Sequence, residues 1–194
     1  MPTAEELDQA LTLLEQSRRE LQQVEEERAQ KESVEQKAEK ALAGLTGAKS
    51  PTGWAYIVEN EMVFTQLRDR AAQFSSPLIC TSGQPSVAAL RLPDLLASSG
   101  TALFYSGDFD GKGLSIAAQL CARYPDLLKP WHMAAEDYDR CRSDISLSSA
   151  SLALLQGCTG TALEKTAQLV EQYRRAGYQK LLILQLEADL IETP

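Results

Sequence analysis

The sequence is poor in several features that would place it in well-defined classes. No apolar run in its 194 residues approaches the ~18 residues that a membrane span needs. The first residues, MPTAEELDQALTLLEQ, lack the basic-then-apolar pattern of a secretory signal. The four cysteines, Cys80, Cys121, Cys141 and Cys158, stand 41, 20 and 17 residues apart, which suits neither a zinc cluster nor a dense disulfide framework. Basic residues are outnumbered, 19 Lys and Arg against 27 Asp and Glu, for a formal charge of −8. That balance argues against a nucleic-acid binder driven by overall electrostatics. With 44% hydrophobic residues, the chain is not disordered throughout. These absences predict a cytoplasmic protein with free thiols and no membrane partner, large enough for one core plus an appendage.

The appendage comes first. Residues 1–50 carry 7 basic and 11 acidic side chains, and from Thr3 to Leu45 there is no Pro and no Gly before Gly44. Ala, Leu, Glu, Gln, Lys and Arg dominate, all strong helix formers. Thr3 with Glu6 fits a capping box, and Gly44 followed by TGAKSPTG fits a helix stop and linker. The expected organisation is a helix over 1–46, a linker over 47–53 and an α/β domain over 54–194. Leu7, Leu14 and Leu21 keep a heptad register with Ala10 and Val24. Arg28, Lys31 and Glu35 interrupt it before Ala38, Leu42 and Leu45 resume. Two readings stay open: a solvated helix that packs its ends on the globular part or a partner, and a coiled coil that makes a homodimer.

Beyond the linker the pattern changes. WAYIV (Trp54–Val58), PLICTS (Pro77–Ser82), TALFYSG (Thr101–Gly107) and KPWHM (Lys129–Met133) are short, β-rich and bounded by Gly, Pro or polar residues. Between them, Glu61–Phe74, Ser86–Ser98 and Gly113–Arg123 carry apolar residues at helical spacing. This alternation predicts βαβ units and a parallel sheet. After Tyr138 the chain reads as helical, over 146–155, 161–176 and 179–191. His132 falls within the fourth predicted strand and reads as structural, and Cys80 and Cys121 read as inert core thiols.

In parallel sheets, chemistry gathers at the carboxyl ends of the strands, and the acids sit there. Glu59 follows the first strand, and Asp108 and Asp110 follow the third. Carboxylates without His or Cys suit Mg²⁺ or Mn²⁺, and packed together unpaired they would repel one another. Gly107, Gly111 and Gly113 would let the chain bend and let a phosphate approach the backbone. The plainer alternative is that Asp108 and Asp110 cap the following helix. An EF-hand calcium loop is excluded, because Lys112 and Gln119 occupy its fifth and twelfth positions. Ser82 and Gly83 lie in the loop after the second strand. Ser82 has no His–acid pattern beside it and reads as a loop or phosphate-contact residue, and Gly83 is a phosphate-contact candidate with it.

Strand–Glu followed by strand–Asp-x-Asp resembles the Toprim domain of topoisomerases, primases and nucleases. More specifically, VENEMVF, CTSGQPSVAALRL, YSGDFDGKGLSIA and PWHMAAEDY resemble successive blocks of the DUF2399 family. That family includes the nuclease subunit of Wadjet-type plasmid-defence systems and is similar to the Toprim part of the topoisomerase VI A subunit. The resemblance implies a Toprim-like α/β fold and a DNA endonuclease working with subunits of an SMC-type complex. It implies that Glu59 acts as general acid or base or shares a metal, that Asp108 and Asp110 hold Mg²⁺ or Mn²⁺, and that Glu187 is a further metal candidate. Gly111-Lys112 stands where the family commonly has a Trp-Pro-like pair, Glu61 where it often has Pro, and Asp189 where it often has Glu. Lys112, Arg174 and Arg175 are candidate contacts to DNA phosphate. No tyrosine sits in an appended winged-helix domain, so water is the expected nucleophile. The competing expectation is a non-catalytic adapter that binds DNA or partner proteins.

Overall fold

The computed structural model describes residues 4–70 and 73–192. The chain divides into two compact units, Met1–Gly44 and Leu45–Pro194. The first contains one helix, α1 (Ala4–Leu42), supported by pairs four residues apart. Arg28 donates to Glu32, Gln16 to Glu20 and Gln22 to Glu26, each worth about 0.3 kcal/mol. Leu13, Leu14, Leu21 and Val24 are exposed. Thr3 and the side chains of Leu7, Ala10, Lys31, Glu35 and Ala38 lie outside the described residues.

The second unit is built on β1 (Trp54–Val58), β2 (Leu78–Cys80), β3 (Ala102–Ser106) and β4 (Leu128–Pro130). They form one parallel sheet in the order β2-β1-β3-β4. Ala55, Tyr56, Ile57 and Val58 of β1 are all buried, because helices cover both faces of such a sheet and a continuous apolar run satisfies both. β1 leads into α2 (Glu61–Arg68), β2 into α3 (Val87–Ser98) and β3 into α4 (Gly111–Arg123). Each helix start is fixed by a polar side chain accepting backbone N–H groups: Asn60 for α2, Ser86 for α3 and Asp110 for α4. The expected α/β architecture, a parallel sheet flanked by helices and preceded in sequence by a long helix, is present and is consistent with a Toprim-like fold.

Three local expectations need correction. The fourth strand ends at Pro130, so His132 stands outside it, in the left-handed region at φ 47°. There its ring lies between Asp137 and Asp189, 3.2 and 3.1 Å away. The region after Tyr138 is not wholly helical. Besides α5 (Ala135–Cys141), α6 (Ser149–Leu154), α7 (Glu164–Tyr173) and α8 (Ile183–Glu192), it forms an antiparallel ribbon of β5 (Arg142–Ser146) and β6 (Arg175–Gly177). Tertiary bonds override the weak local signal: Ser143 Oγ donates to the Ala176 carbonyl and Tyr138 Oη to that of Arg175. Finally, α2 is shorter than expected and ends at Arg68.

Candidate active site

Glu59 is the first residue after β1, and Asp108 is the second after β3. Because Val58 pairs with Ser106, the two chains leave the sheet side by side. The Glu59 N–H donates to the Ser106 carbonyl at 3.1 Å, and the Asp108 N–H donates to Glu59 Oε2 at 3.2 Å. The β2 loop joins them: the Gly83 N–H donates to the Glu59 carbonyl at 3.1 Å, and Ser82 and Gly83 are both left-handed, at φ 54° and 85°. An open cleft of ≈ 470 Å³ results, lined by Glu59, Asn60, Glu61, Met62, Ser82, Gly83 and Asp108. Lys112 Nζ reaches over the β2 loop, 3.7 Å from where a Cβ on Gly83 would stand.

The third side of the site comes from the far end of the chain. Phe109 and Gly177 exchange both backbone hydrogen bonds, at 2.8 and 3.0 Å, which staples the Asp-x-Asp loop to the end of β6. Gln179 follows at once. Its N–H donates to Asp108 Oδ1 at 2.7 Å, and its side-chain Oε1 accepts the Asn60 N–H at 3.3 Å. One fully buried residue thus bridges the loops after β1 and β3.

Electrostatically the carboxylates oppose one another. Burial pushes the Glu59 carboxyl up to about 7, and the charges of Asp108 and Asp110 add to that, while the Asp108 N–H and Lys112 pull the other way. Burial also raises Asp108, with Asp110 contributing and the Gln179 N–H opposing. Tyr105, in β3 beneath the loop, is raised well above the usual phenol value by burial and then by Glu59.

The other predicted residues are placed as follows. Asp110 Oδ1 accepts the Gly113 N–H at 2.7 Å, so it caps α4 and at the same time adds charge at the cleft. Glu187, on α8, is engaged by the Arg70 guanidinium, and its neighbour Asp189 takes Trp131 Nε1–H and His132. Arg174 is the left-handed C-cap of α7, and Arg175 donates to the Asp144 carbonyl. Among the described residues, no three His, Cys, Asp or Glu side chains form a ready-made metal cage.

The fit to a divalent cation rests on what is present. Two carboxylates raised by burial and by neighbouring carboxylates, all-oxygen donors and an open cleft suit Mg²⁺, which keeps several waters and uses one or two carboxylates plus substrate phosphate. Glu59 and Asp108 are the residues that would hold it, with Asp110 beside them. Gln179 and Tyr105 escaped sequence reasoning. For Gln179 no local signal exists, since its role depends on the Phe109–Gly177 pairing. Tyr105 had one: a phenol in a fully buried strand needs a partner for its hydroxyl.

The family model described as "Protein of unknown function C-terminus (DUF2399)" matches residues 36–190. No curated protein matches the chain. The match takes in all four strands of the sheet, both loops that carry the acids and the Gln179 segment that joins them, and the chain therefore belongs to the DUF2399 family.

Proposed function

We propose that this protein is a metal-dependent DNA endonuclease with a Toprim-like site, acting in the cytoplasm with subunits of an SMC-type complex. The observation that carries this reading is the pairing of Glu59 and Asp108 on neighbouring strand ends, one holding the other's N–H inside a cleft. A bound Mg²⁺ or Mn²⁺ would neutralise phosphate charge and lower the pKa of a coordinated water, which eases its deprotonation by a base. Within the chain, Glu59 is raised to about 7 without metal, so it would either take and return a proton near pH 7 or, ionised by the cation, share the metal. Asp108 is held in place by the Gln179 N–H. Lys112, over Gly83, offers a positive charge to a phosphate in the cleft, with Ser82 on the same wall.

A non-catalytic adapter that binds DNA or partner proteins is the second reading, and what favours it is that two of the four carboxylates expected to serve a metal have partners within the chain, Glu187 with Arg70 and Asp110 with the Gly113 N–H. Nicking of supercoiled plasmid in Mg²⁺ or Mn²⁺, with the partner subunits present, separates the two. The expected result is cleavage by the wild type and a loss of roughly a hundredfold or more in Asp108→Ala. Equal inactivity of both would establish the adapter.

A further inference from the structure

Tyr105 is 0% exposed, and its hydroxyl has no hydrogen-bond partner among the described residues. A buried unsatisfied hydroxyl is costly, so such a group calls for an explanation. Its position supplies one. A methyl group built on Gly107 would stand 2.7 Å from Glu59 Oε2 and 3.0 Å from Tyr105 Oη, so both oxygens face the same side of Gly107. Oε2 already accepts the Asp108 N–H. A second donor on that oxygen would fix the carboxylate plane and leave Oε1 to a ligand in the cleft.

We propose that Tyr105 is a positioning residue of this site: its hydroxyl donates to Glu59 Oε2 when a divalent cation occupies the cleft, holding Glu59 in its ligating orientation. In the structure the hydroxyl does not yet make this bond; once made, it would give Oε2 two donors and leave Oε1 free for a cation in the cleft. No bond is made or broken beyond this hydrogen bond. The inference rests on the reading of the cleft as a divalent-cation site.

The test is Tyr105→Phe in the full chain, which keeps the ring and removes only the oxygen. Mn²⁺ binding is followed by electron paramagnetic resonance, melting is followed without metal, and plasmid nicking is measured at saturating Mn²⁺. The expected result has opposite signs. Metal-free Tyr105→Phe melts at or above the wild-type temperature, because an unsatisfied polar atom is gone, while Mn²⁺ binds about tenfold more weakly, the worth of one hydrogen bond to a charged group. In nicking, kcat falls and the KM for DNA stays unchanged, since Tyr105 is buried away from the nucleic acid. A passive structural role would not pair a stable fold with weakened metal binding. Wild-type Mn²⁺ affinity in Tyr105→Phe, with Glu59→Gln impaired, overturns the role of Tyr105 and leaves the cation site standing. A marked fall in the metal-free melting temperature overturns it too, because the hydroxyl then has a partner in the resting fold. Absence of Mn²⁺ binding to the wild type overturns both.

Discussion

A methyl group on Gly113 would collide with the Asp108 carbonyl oxygen, and one on Gly111 with that of Ser151. Neither glycine, nor Gly107, adopts the left-handed conformation. Their smallness admits the protein's own atoms: backbone at Gly111 and Gly113, and the Glu59 and Tyr105 side-chain oxygens at Gly107. Gly113 lets the first turn of α4 close under Asp108, and Gly107 lies beneath the Glu59 and Tyr105 oxygens. Backbone obstructing a Cβ cannot rotate away as a side chain can. Gly113→Ala is therefore expected to lose about 3 kcal/mol in denaturant unfolding. Gly157→Ala, with nothing within 4 Å of its Cβ, is expected to be neutral or gain about 0.5 kcal/mol. Equal effects at the two positions would refute the close-approach argument.

At the scale of elements, α4 tests whether Asp110 is a cap, a site residue or both. The plainer reading of Asp-x-Asp as helix capping holds for Asp110, whose carboxylate takes the Gly113 N–H, whereas Asp108 takes the Gln179 N–H instead. Asn caps nearly as well as Asp, and Ala does not. Asp110→Ala is expected to cost about 1 kcal/mol of stability, and Asp110→Asn close to nothing. If Asp110 also serves the cation, Asp110→Asn loses nicking while keeping its unfolding midpoint. Retained nicking in Asp110→Asn would leave it a cap alone. The same contrast explains what the sequence could reveal. Glu59, Asp108 and Asp110 were legible because alternating apolar runs locate strand ends, and strand ends locate the cleft. The β5–β6 ribbon was not legible, since RSDIS and RAG have little strand propensity, and the bonds that support their pairing are tertiary: Tyr138 to Arg175, Ser143 to Ala176 and Phe109 to Gly177. With the ribbon hidden, Gln179 was hidden too. His132 was misplaced because Pro130 and the left-handed turn after it cut short a run that still reads as apolar.

At the scale of the whole molecule, the charge of −8 looked like an argument against a nucleic-acid partner, yet part of it is concentrated at the cleft. Glu59 is raised from 4.5 to about 7, and Asp108 is raised as well. A carboxyl raised on folding holds a proton that the unfolded chain releases. Stability of the metal-free protein therefore falls as pH rises from about 4.5 to about 7, and the penalty stays constant above that. For Glu59 the shift corresponds to at most about 3 kcal/mol, and less where water reaches the cleft. The expected melting curve declines over that interval in the wild type and flattens in Glu59→Gln, which cannot ionise. General repulsion among the surface acids affects both proteins alike, so the difference between the two curves isolates the site. Mg²⁺ favours the ionised carboxylates, so it should raise the wild-type melting temperature clearly at pH 8 and hardly at pH 4.5, and should do less for Glu59→Gln at either pH. Parallel decline of the two proteins with pH would mean that Glu59 ionises as easily in the fold as outside it. The cleft would then lack the burial cost and the repulsion that a cation relieves.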